Sequence, residues 1–107
     1  MADYVDDDFE WDADKSEATP RDRGFDFALS SRLFQQERYL EVLEESRDYG
    51  EGRLKSWGPV LGHFITVIWT PRGSRKRIIS ARLSDPDERD EYAKAFGWNS
   101  AWESERE

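Results

Sequence analysis

The chain has 107 residues, no cysteine, one histidine and a formal net charge of −8. The length predicts one compact domain. The absence of cysteine excludes disulfides, thiolate metal ligands and a cysteine nucleophile. The single histidine argues against a multi-histidine metal site or a Ser-His triad. No apolar run approaches the roughly 18 residues that span a bilayer, and the acidic start MADYVDDD is unlike a signal peptide, so a cytoplasmic protein without a membrane partner is expected.

The charge is unevenly distributed along the chain. Residues 1–8 carry −4 and residues 97–107 carry −2, which predicts two acidic tails around a domain at 9–96. Within that domain, residues 70–82 hold five basic side chains and no acidic one. A local basic cluster in an acidic chain is typical of a phosphate-binding site, although a basic edge strand that resists aggregation gives the same pattern.

The first half of the domain predicts one strand and two helices. FEWD (9–12) alternates aromatic and acidic residues as a short strand does. Asp12 is a suitable N-cap for a helix through ADKSEA, which Pro20 interrupts because proline inside a helix costs about 3 kcal/mol. Asp26 then caps a second helix, whose apolar residues form one stripe.

The second half predicts an antiparallel β-meander followed by a helix. The predicted strands, joined by a polar loop, a GPVLG turn and a PRGS hairpin turn, are 38–45, 53–57, 63–70 and 75–83. The strand HFITVIWT is β-branched and aromatic, which favours a central position.

The closing helix begins at a capping signal. Asp85 is a suitable N-cap, Pro86 suits the first helical position and Glu88 completes a capping box, so a helix is predicted to about Phe96 with Gly97 at its end. The order of elements predicts an α+β domain with its helices on one face of the sheet.

Four stretches of the chain resemble the BrnT family of bacterial toxins. They are FEWD with Lys15, then RGFDFALSSRLF, then DYGEGR ending at Arg53, and finally TPRGSRKRIISAR with Glu88 and Tyr92 beyond it. The strand Arg-Ile-Ile-Ser-Ala-Arg followed by Glu-x-x-x-Tyr is the most specific of these. The resemblance covers about residues 9–96 and implies a RelE-like fold, an antiparallel meander with N-terminal helices and a C-terminal helix packed on the sheet.

The resemblance also implies a function. Members of the family are the toxin half of a type II toxin–antitoxin pair, and they cleave RNA and halt translation. No metal or other cofactor is implied. The implied partners are the RNA substrate and a cognate BrnA-like antitoxin, through which the toxin is expected to dimerise.

Three arginines that match the family pattern are predicted phosphate ligands. They are Arg53, Arg77 and Arg82, and guanidinium groups suit phosphate because they bind it through two hydrogen bonds. Salt bridges with the acidic helices are the alternative. Strict alternation places Arg77 and Arg82 on opposite faces, so both reach one pocket only if a bulge or a strand end intervenes. Arg82, at the strand end, is expected to reach around, to face solvent and to contribute little to stability.

The remaining candidates supply proton transfer and positioning. Lys15 is the predicted base or charge stabiliser, with its pKa lowered by nearby arginines; an exposed helix lysine is the alternative. Ser80 is a candidate hydrogen-bond donor to phosphate. Tyr92 is predicted to orient phosphate or to stack on a base, or else to anchor the core. Histidine is the side-chain type whose unperturbed pKa lies near neutrality, but the place of His63 at a strand start favours a structural role.

Two positions depart from the family pattern. Asp22 and Arg23 stand where the family usually has Lys-His, and Trp69 stands where a histidine is frequent. A potential acid or base is therefore missing at each place. This loss, together with the net charge of −8, leaves a second hypothesis open, a non-catalytic RelE-like module that binds proteins.

Overall fold

The computed structural model describes residues 3–13, 27–44 and 52–97. Its strands, in chain order, are β1 (Asp3–Val5), β2 (Phe9–Asp12), β3 (Leu40–Glu44), β4 (Arg53–Val60), β5 (His63–Arg72) and β6 (Arg75–Leu83). Its helices are α1 (Phe27–Ser30), which continues as a 3₁₀ helix (Ser31–Gln35), and α2 (Pro86–Phe96). The helix predicted after Asp12 begins at Ala13, which is helical, and the rest of it, with its interruption at Pro20, lies in residues 14–26, outside the described residues.

The described strands form one six-stranded sheet in the order β1-β2-β6-β5-β4-β3. Strands β3 to β6 form the antiparallel meander that the sequence predicts, and β5 lies in its interior between β4 and β6, which confirms its central place. Strand β2 pairs with β6 in parallel, and β1 pairs with β2 antiparallel. Strand β1 lies within the segment that the charge pattern predicted to be a tail.

The turn predicted at GPVLG is shorter than expected. Strand β4 continues to Val60, and only Leu61 and Gly62 form the turn, with φ angles of 47° and 85°. Pro59 is tolerated in the strand because β3 pairs only with residues 53–57, so no ladder hydrogen bond is needed on that side. Gly58 serves packing rather than turning, since a Cβ there would lie 3.2 Å from Leu33 Cδ1.

Two apolar clusters cover the two faces of the sheet. The larger one includes Trp11, Phe27, Leu33, Ile65 and Ile78, and it packs under α1 and the 3₁₀ helix. The smaller one consists of Trp57, Phe64 and Tyr92, with Leu40 and Phe96 against it, and it packs under α2. The prediction that the helices share one face is therefore wrong, because aromatic residues project from both faces and each face requires cover.

Helix α2 begins and ends as its sequence predicts. Asp85 accepts a hydrogen bond from the Glu88 N–H, and the Glu88 side chain accepts one from the Asp85 N–H, each at 2.9 Å. Pro86 is the first helical residue, and Gly97 adopts the left-handed conformation with φ 64°. Trp57 ties the helix to the sheet, because its Nε1 donates to the Glu88 carbonyl at 2.7 Å.

Among the described residues, no helix has the length and apolar character needed to cross a membrane.

Candidate active site

A β-bulge in β6 interrupts the alternation of its side chains. Ser80 lies opposite Ile68 of β5, but Ile78 lies opposite the next residue, Trp69. Ile79 is therefore an extra residue in β6 with no counterpart in β5. Such a residue shifts the facing of every side chain beyond it.

The bulge places the predicted phosphate ligands of β6 on one face of the sheet. Ile78 and Ala81, three residues apart, both enter the larger core cluster. Arg77, Ser80 and Arg82 consequently share the opposite face of the sheet, which strict alternation would not allow. The bulge is thus the interruption that Arg77 and Arg82 require if both are to face the same way.

Strand β4 adds two more cations to this surface. Lys55 lies opposite Ile68, which itself lies opposite Ser80, so the three residues form one row across the sheet. Arg53 precedes Lys55 by two residues in a regular strand and therefore faces the same way. We call this surface, which bears Arg53, Lys55, Arg77, Ser80 and Arg82, the arginine face.

Ser80 lies between the two arginines of β6. Arg77 and Arg82 lie opposite Thr70 and Thr66 of β5, and four residues of strand separate backbone positions by about 13 Å. The arginine face is therefore a row of donors along the sheet rather than a closed pocket.

The carboxylate of Glu88 organises the end of the arginine face nearest α2. It is 3% exposed and accepts hydrogen bonds from both terminal nitrogens of Arg82, each at 2.8 Å. Thr66 Oγ1 donates to it at 2.9 Å, and Lys55 Nζ lies 3.2 Å from it. Burial alone would raise the pKa of Glu88, but hydrogen bonds from Arg82, the Asp85 N–H, Thr66 and Lys55 outweigh it and lower the pKa to about 2.

The contacts of Glu88 make it an anchor for the cations around it. Its carboxylate orients the Arg82 guanidinium through two hydrogen bonds and holds Lys55 beside it.

Arg82 is less exposed to solvent than expected, and its contact with Glu88 argues against the prediction that it contributes little to stability. Its side chain is 35% exposed, but its guanidinium neutralises a buried carboxylate. Removal of one partner of a buried ion pair costs several kcal/mol, since the remaining charge is stranded in a poorly hydrated place. Sequence spacing did not reveal the contact, because Arg82 lies in β6 and Glu88 in α2.

Arg77, at the other end of the arginine face, is also held by carboxylates. Its Nη1 lies 2.9 Å from Glu10 Oε2 and 3.2 Å from Asp3 Oδ2. Hydrogen bonds to Asp3 and Glu10 raise the pKa of Arg77 despite its partial burial, so the guanidinium is charged at any physiological pH.

Tyr92 lies in the core rather than on the arginine face. Its ring is 6% exposed and meets Phe64 edge-on, with 5.1 Å between ring centroids. Its hydroxyl donates to the Arg38 carbonyl at 3.3 Å, and burial raises its pKa. Tyr92 lies one helical turn beyond Glu88, so its packing fixes the helix that carries that carboxylate.

The remaining sequence candidates are not brought to the arginine face. Trp69 is buried in the larger core cluster, and its Nε1 donates to Ser56 Oγ at 2.8 Å. His63 is exposed at the start of β5. Lys15 and Arg23 lie outside the described residues.

Two residues of this site were not among the sequence candidates. Glu88 was interpreted only as a helix cap, although its spacing from Tyr92 belonged to the most specific motif of the chain. Lys55 alternates with Arg53 and Trp57, and that alternation was the available signal.

The arrangement suits the binding of phosphate groups. Four cationic side chains and a hydroxyl line one face of a rigid sheet, and guanidinium groups bind phosphate oxygens in pairs. Such donors, fixed before the reaction, stabilise charge that develops in a transition state. The fold and the site define an α+β domain whose sheet bears a row of arginine and lysine side chains, several of them paired with carboxylates of the same chain.

The family of the chain agrees with this surface. Residues 11–88 match the family model described as "Ribonuclease toxin, BrnT, of type II toxin-antitoxin system". The chain therefore belongs to the BrnT family, whose members are ribonuclease toxins of type II toxin–antitoxin systems. No curated protein sequence matches the chain.

Proposed function

We propose that this BrnT-family toxin cleaves RNA on its arginine face, without a metal ion, and so inhibits translation. The bulge at Ile79 carries the proposal, because it places Arg77, Ser80 and Arg82 on one face of the sheet. In the proposed reaction the 2′-oxygen of a ribose attacks the adjacent phosphorus, and the bond from phosphorus to the 5′-oxygen breaks. The products are a 2′,3′-cyclic phosphate and a 5′-hydroxyl.

Each residue has a proposed role in that reaction. Arg77, Arg82 and Arg53 bind the phosphate oxygens and stabilise the extra negative charge of the transition state. Ser80 donates a hydrogen bond to the same phosphate. Lys15, as the neutral amine, accepts the proton of the 2′-hydroxyl, and a solvent water donates a proton to the departing 5′-oxygen. Tyr92 acts indirectly, since its packing in the core holds α2 and hence Glu88 in place.

The proposed partner is a BrnA-like antitoxin that covers the arginine face. A type II toxin has an antitoxin partner, and a partner that neutralises the toxin by exclusion must occupy the surface that binds RNA. We place the pair in the cytoplasm, where translated RNA is found, with dimerisation through the antitoxin. We also propose that the fold is RelE-like, as the resemblance to the family implies.

A cleavage assay tests the proposal directly. Purified protein is incubated with single-stranded RNA in the presence of EDTA, and the products are analysed for cyclic phosphate ends. Arg77→Ala and Arg82→Lys are each expected to reduce the rate about 100-fold or more, while Arg89→Ala, which alters an exposed arginine of α2, leaves it unchanged. The lysine variant keeps a cation beside Glu88, so a loss of rate is not a loss of fold.

A second candidate function rests on the ion pairs of the arginine face. Both arginines of β6 already bind carboxylates of their own chain, which is the arrangement of a structural network in a non-catalytic, protein-binding module. Rates that survive both substitutions refute the catalytic proposal. Folded wild-type protein that cleaves no RNA yet binds an antitoxin establishes the binding module instead.

A further inference from the structure

An acidic hairpin lies along the basic strand β6. Residues 3–12 form β1, β2 and the loop between them, and they hold six carboxylates and no basic residue. Strand β2 pairs in parallel with the start of β6, so that Glu10 lies opposite Arg77 and Phe9 opposite Lys76. We call residues 3–12 the acidic hairpin.

The acidic hairpin occupies one donor that the proposed function assigns to RNA, the guanidinium of Arg77, and it also binds the neighbouring Arg75. Asp3 Oδ2 and Oδ1 accept hydrogen bonds from Arg77 Nη1 and Nη2 at 3.2 and 3.5 Å. Arg75 Nε donates to the Asp6 carbonyl at 2.6 Å. A carboxylate with one guanidinium across its two oxygens resembles a phosphate group with two of its oxygens bound in the same way.

The two carboxylates on Arg77 differ in their exposure. The Glu10 side chain is 15% exposed and that of Asp3 is 51% exposed. Asp3 belongs to β1, a three-residue edge strand whose residues are all exposed. The short strand is held by its pairing with β2 and by the Tyr4 ring, which stacks on Trp11 with 4.2 Å between centroids. Short edge strands open at little cost in free energy, so β1 can leave while β2 stays in the sheet.

We propose that β1 competes with RNA for the arginine face, because the Asp3 carboxylate occupies the place that an RNA phosphate takes on Arg77. We call this contact of Asp3 with Arg77 the guard. The inference rests on the proposed function, because it names the regulation of the same site. RNA binding displaces Asp3, and Glu10 remains to orient the guanidinium. The guard lowers affinity only modestly, since an exposed ion pair is weak and one phosphate exchanges for one carboxylate.

The matched pair Asp3→Asn and Asp7→Asn tests the guard. Both substitutions remove one negative charge from the acidic hairpin, and Asp7 is exposed and takes part in none of the ion pairs seen among the described residues. Affinity is measured by fluorescence anisotropy with a short, labelled 2′-O-methyl RNA, which cannot undergo 2′-hydroxyl attack. Asp3→Asn is expected to bind this RNA about two- to five-fold more tightly than Asp7→Asn does.

A second background separates the guard from a general charge effect. In Arg77→Gln protein, Asp3→Asn and Asp7→Asn are expected to have equal affinities, because the contact that distinguishes them is gone. The guard alone is overturned if Asp3→Asn and Asp7→Asn bind RNA equally well in protein that keeps Arg77. It is also overturned if the tighter binding of Asp3→Asn persists in Arg77→Gln protein. If Arg77→Gln leaves RNA binding and cleavage unchanged in every protein, the proposed phosphate site is wrong, and the guard is wrong with it.

Discussion

Replacing Glu88 with glutamine removes the charge that joins Arg82, Lys55 and α2. The resulting loss in the free energy of unfolding can be calculated from the pKa of Glu88. The pKa of Glu88 is about 2 in the folded chain, against an ordinary value of 4.5. A difference of about 2.5 in pKa corresponds to about 3 kcal/mol, at 1.36 kcal/mol for each tenfold change in proton affinity. We therefore expect Glu88→Gln to lower the free energy of unfolding by about 3 kcal/mol at pH 7.

The same pKa fixes how this loss depends on pH. Because folding lowers the pKa, the ionised carboxylate stabilises the folded state. This stabilisation is complete above about pH 4.5 and disappears as the pH falls through about 2. At pH 3 the wild type is expected to exceed Glu88→Gln by only about 1.5 kcal/mol.

The measurement is urea denaturation, followed by tryptophan fluorescence at pH 7 and pH 3. Glu91→Gln is the matched control, since it removes the same charge from an exposed position of the same helix. The control is expected to change the free energy of unfolding by less than about 0.5 kcal/mol. The reasoning is refuted if the two variants are equally stable at pH 7, or if the deficit of Glu88→Gln is the same at both pH values.

Three further outcomes are expected. Tyr92→Phe should cleave RNA at the wild-type rate and lose at most about 1 kcal/mol in urea denaturation, because its hydroxyl donates one 3.3 Å hydrogen bond to a backbone carbonyl; a large loss of rate would place the phenol in the reaction. Deletion of Ile79 should abolish cooperative thermal unfolding, because restored alternation turns Arg77 toward the apolar core. Circular dichroism measures the unfolding, and a deletion variant that still unfolds cooperatively contradicts this reasoning. Lys15→Met should slow cleavage about 100-fold or more, whereas Lys94→Met in α2 should not; equal rates exclude Lys15 as the base.

The elements that local signals specify were predictable from the sequence. The capping box at Asp85 and Glu88 and the glycine at position 97 fix both ends of α2. The β-branched and aromatic run of β5 predicts an interior strand. In these cases a few neighbouring residues carry the whole signal, so no knowledge of distant parts of the chain was required.

Pairings between distant segments were not predictable in the same way. Nothing within FEWD indicates that β2 pairs in parallel with β6, since the partner lies far along the chain. Strand β1 reads as a solvated tail because its acidic neighbours outweigh its β-propensity. Gly58 and Pro59 resemble a turn, but their roles depend on Leu33 above the strand and on the short length of β3.

For the candidate site too, local chemistry was predictable and contacts between distant segments were not. The residue types that suit phosphate follow from their chemistry, and the basic cluster lies on β6, which bears three residues of the arginine face. Whether Arg77 and Arg82 share a face depended on a bulge at Ile79, a residue type with no special preference for bulges. That Glu88 holds Arg82 depended on how α2 lies against the sheet.

The parallel pairing of β2 with β6 has a consequence for the order of folding. Strands β3 to β6 are joined mostly by short connections, whereas Glu10 and Arg77 are 67 residues apart in the chain. Closure of so long a loop costs more entropy than closure of a hairpin, and contacts of this kind slow folding. We expect the meander to form in the transition state and β2 to dock afterwards, so that conservative core substitutions at Val67 slow folding while those at Trp11 mainly accelerate unfolding. Stopped-flow refolding of the two variants distinguishes this sequence of events from its reverse.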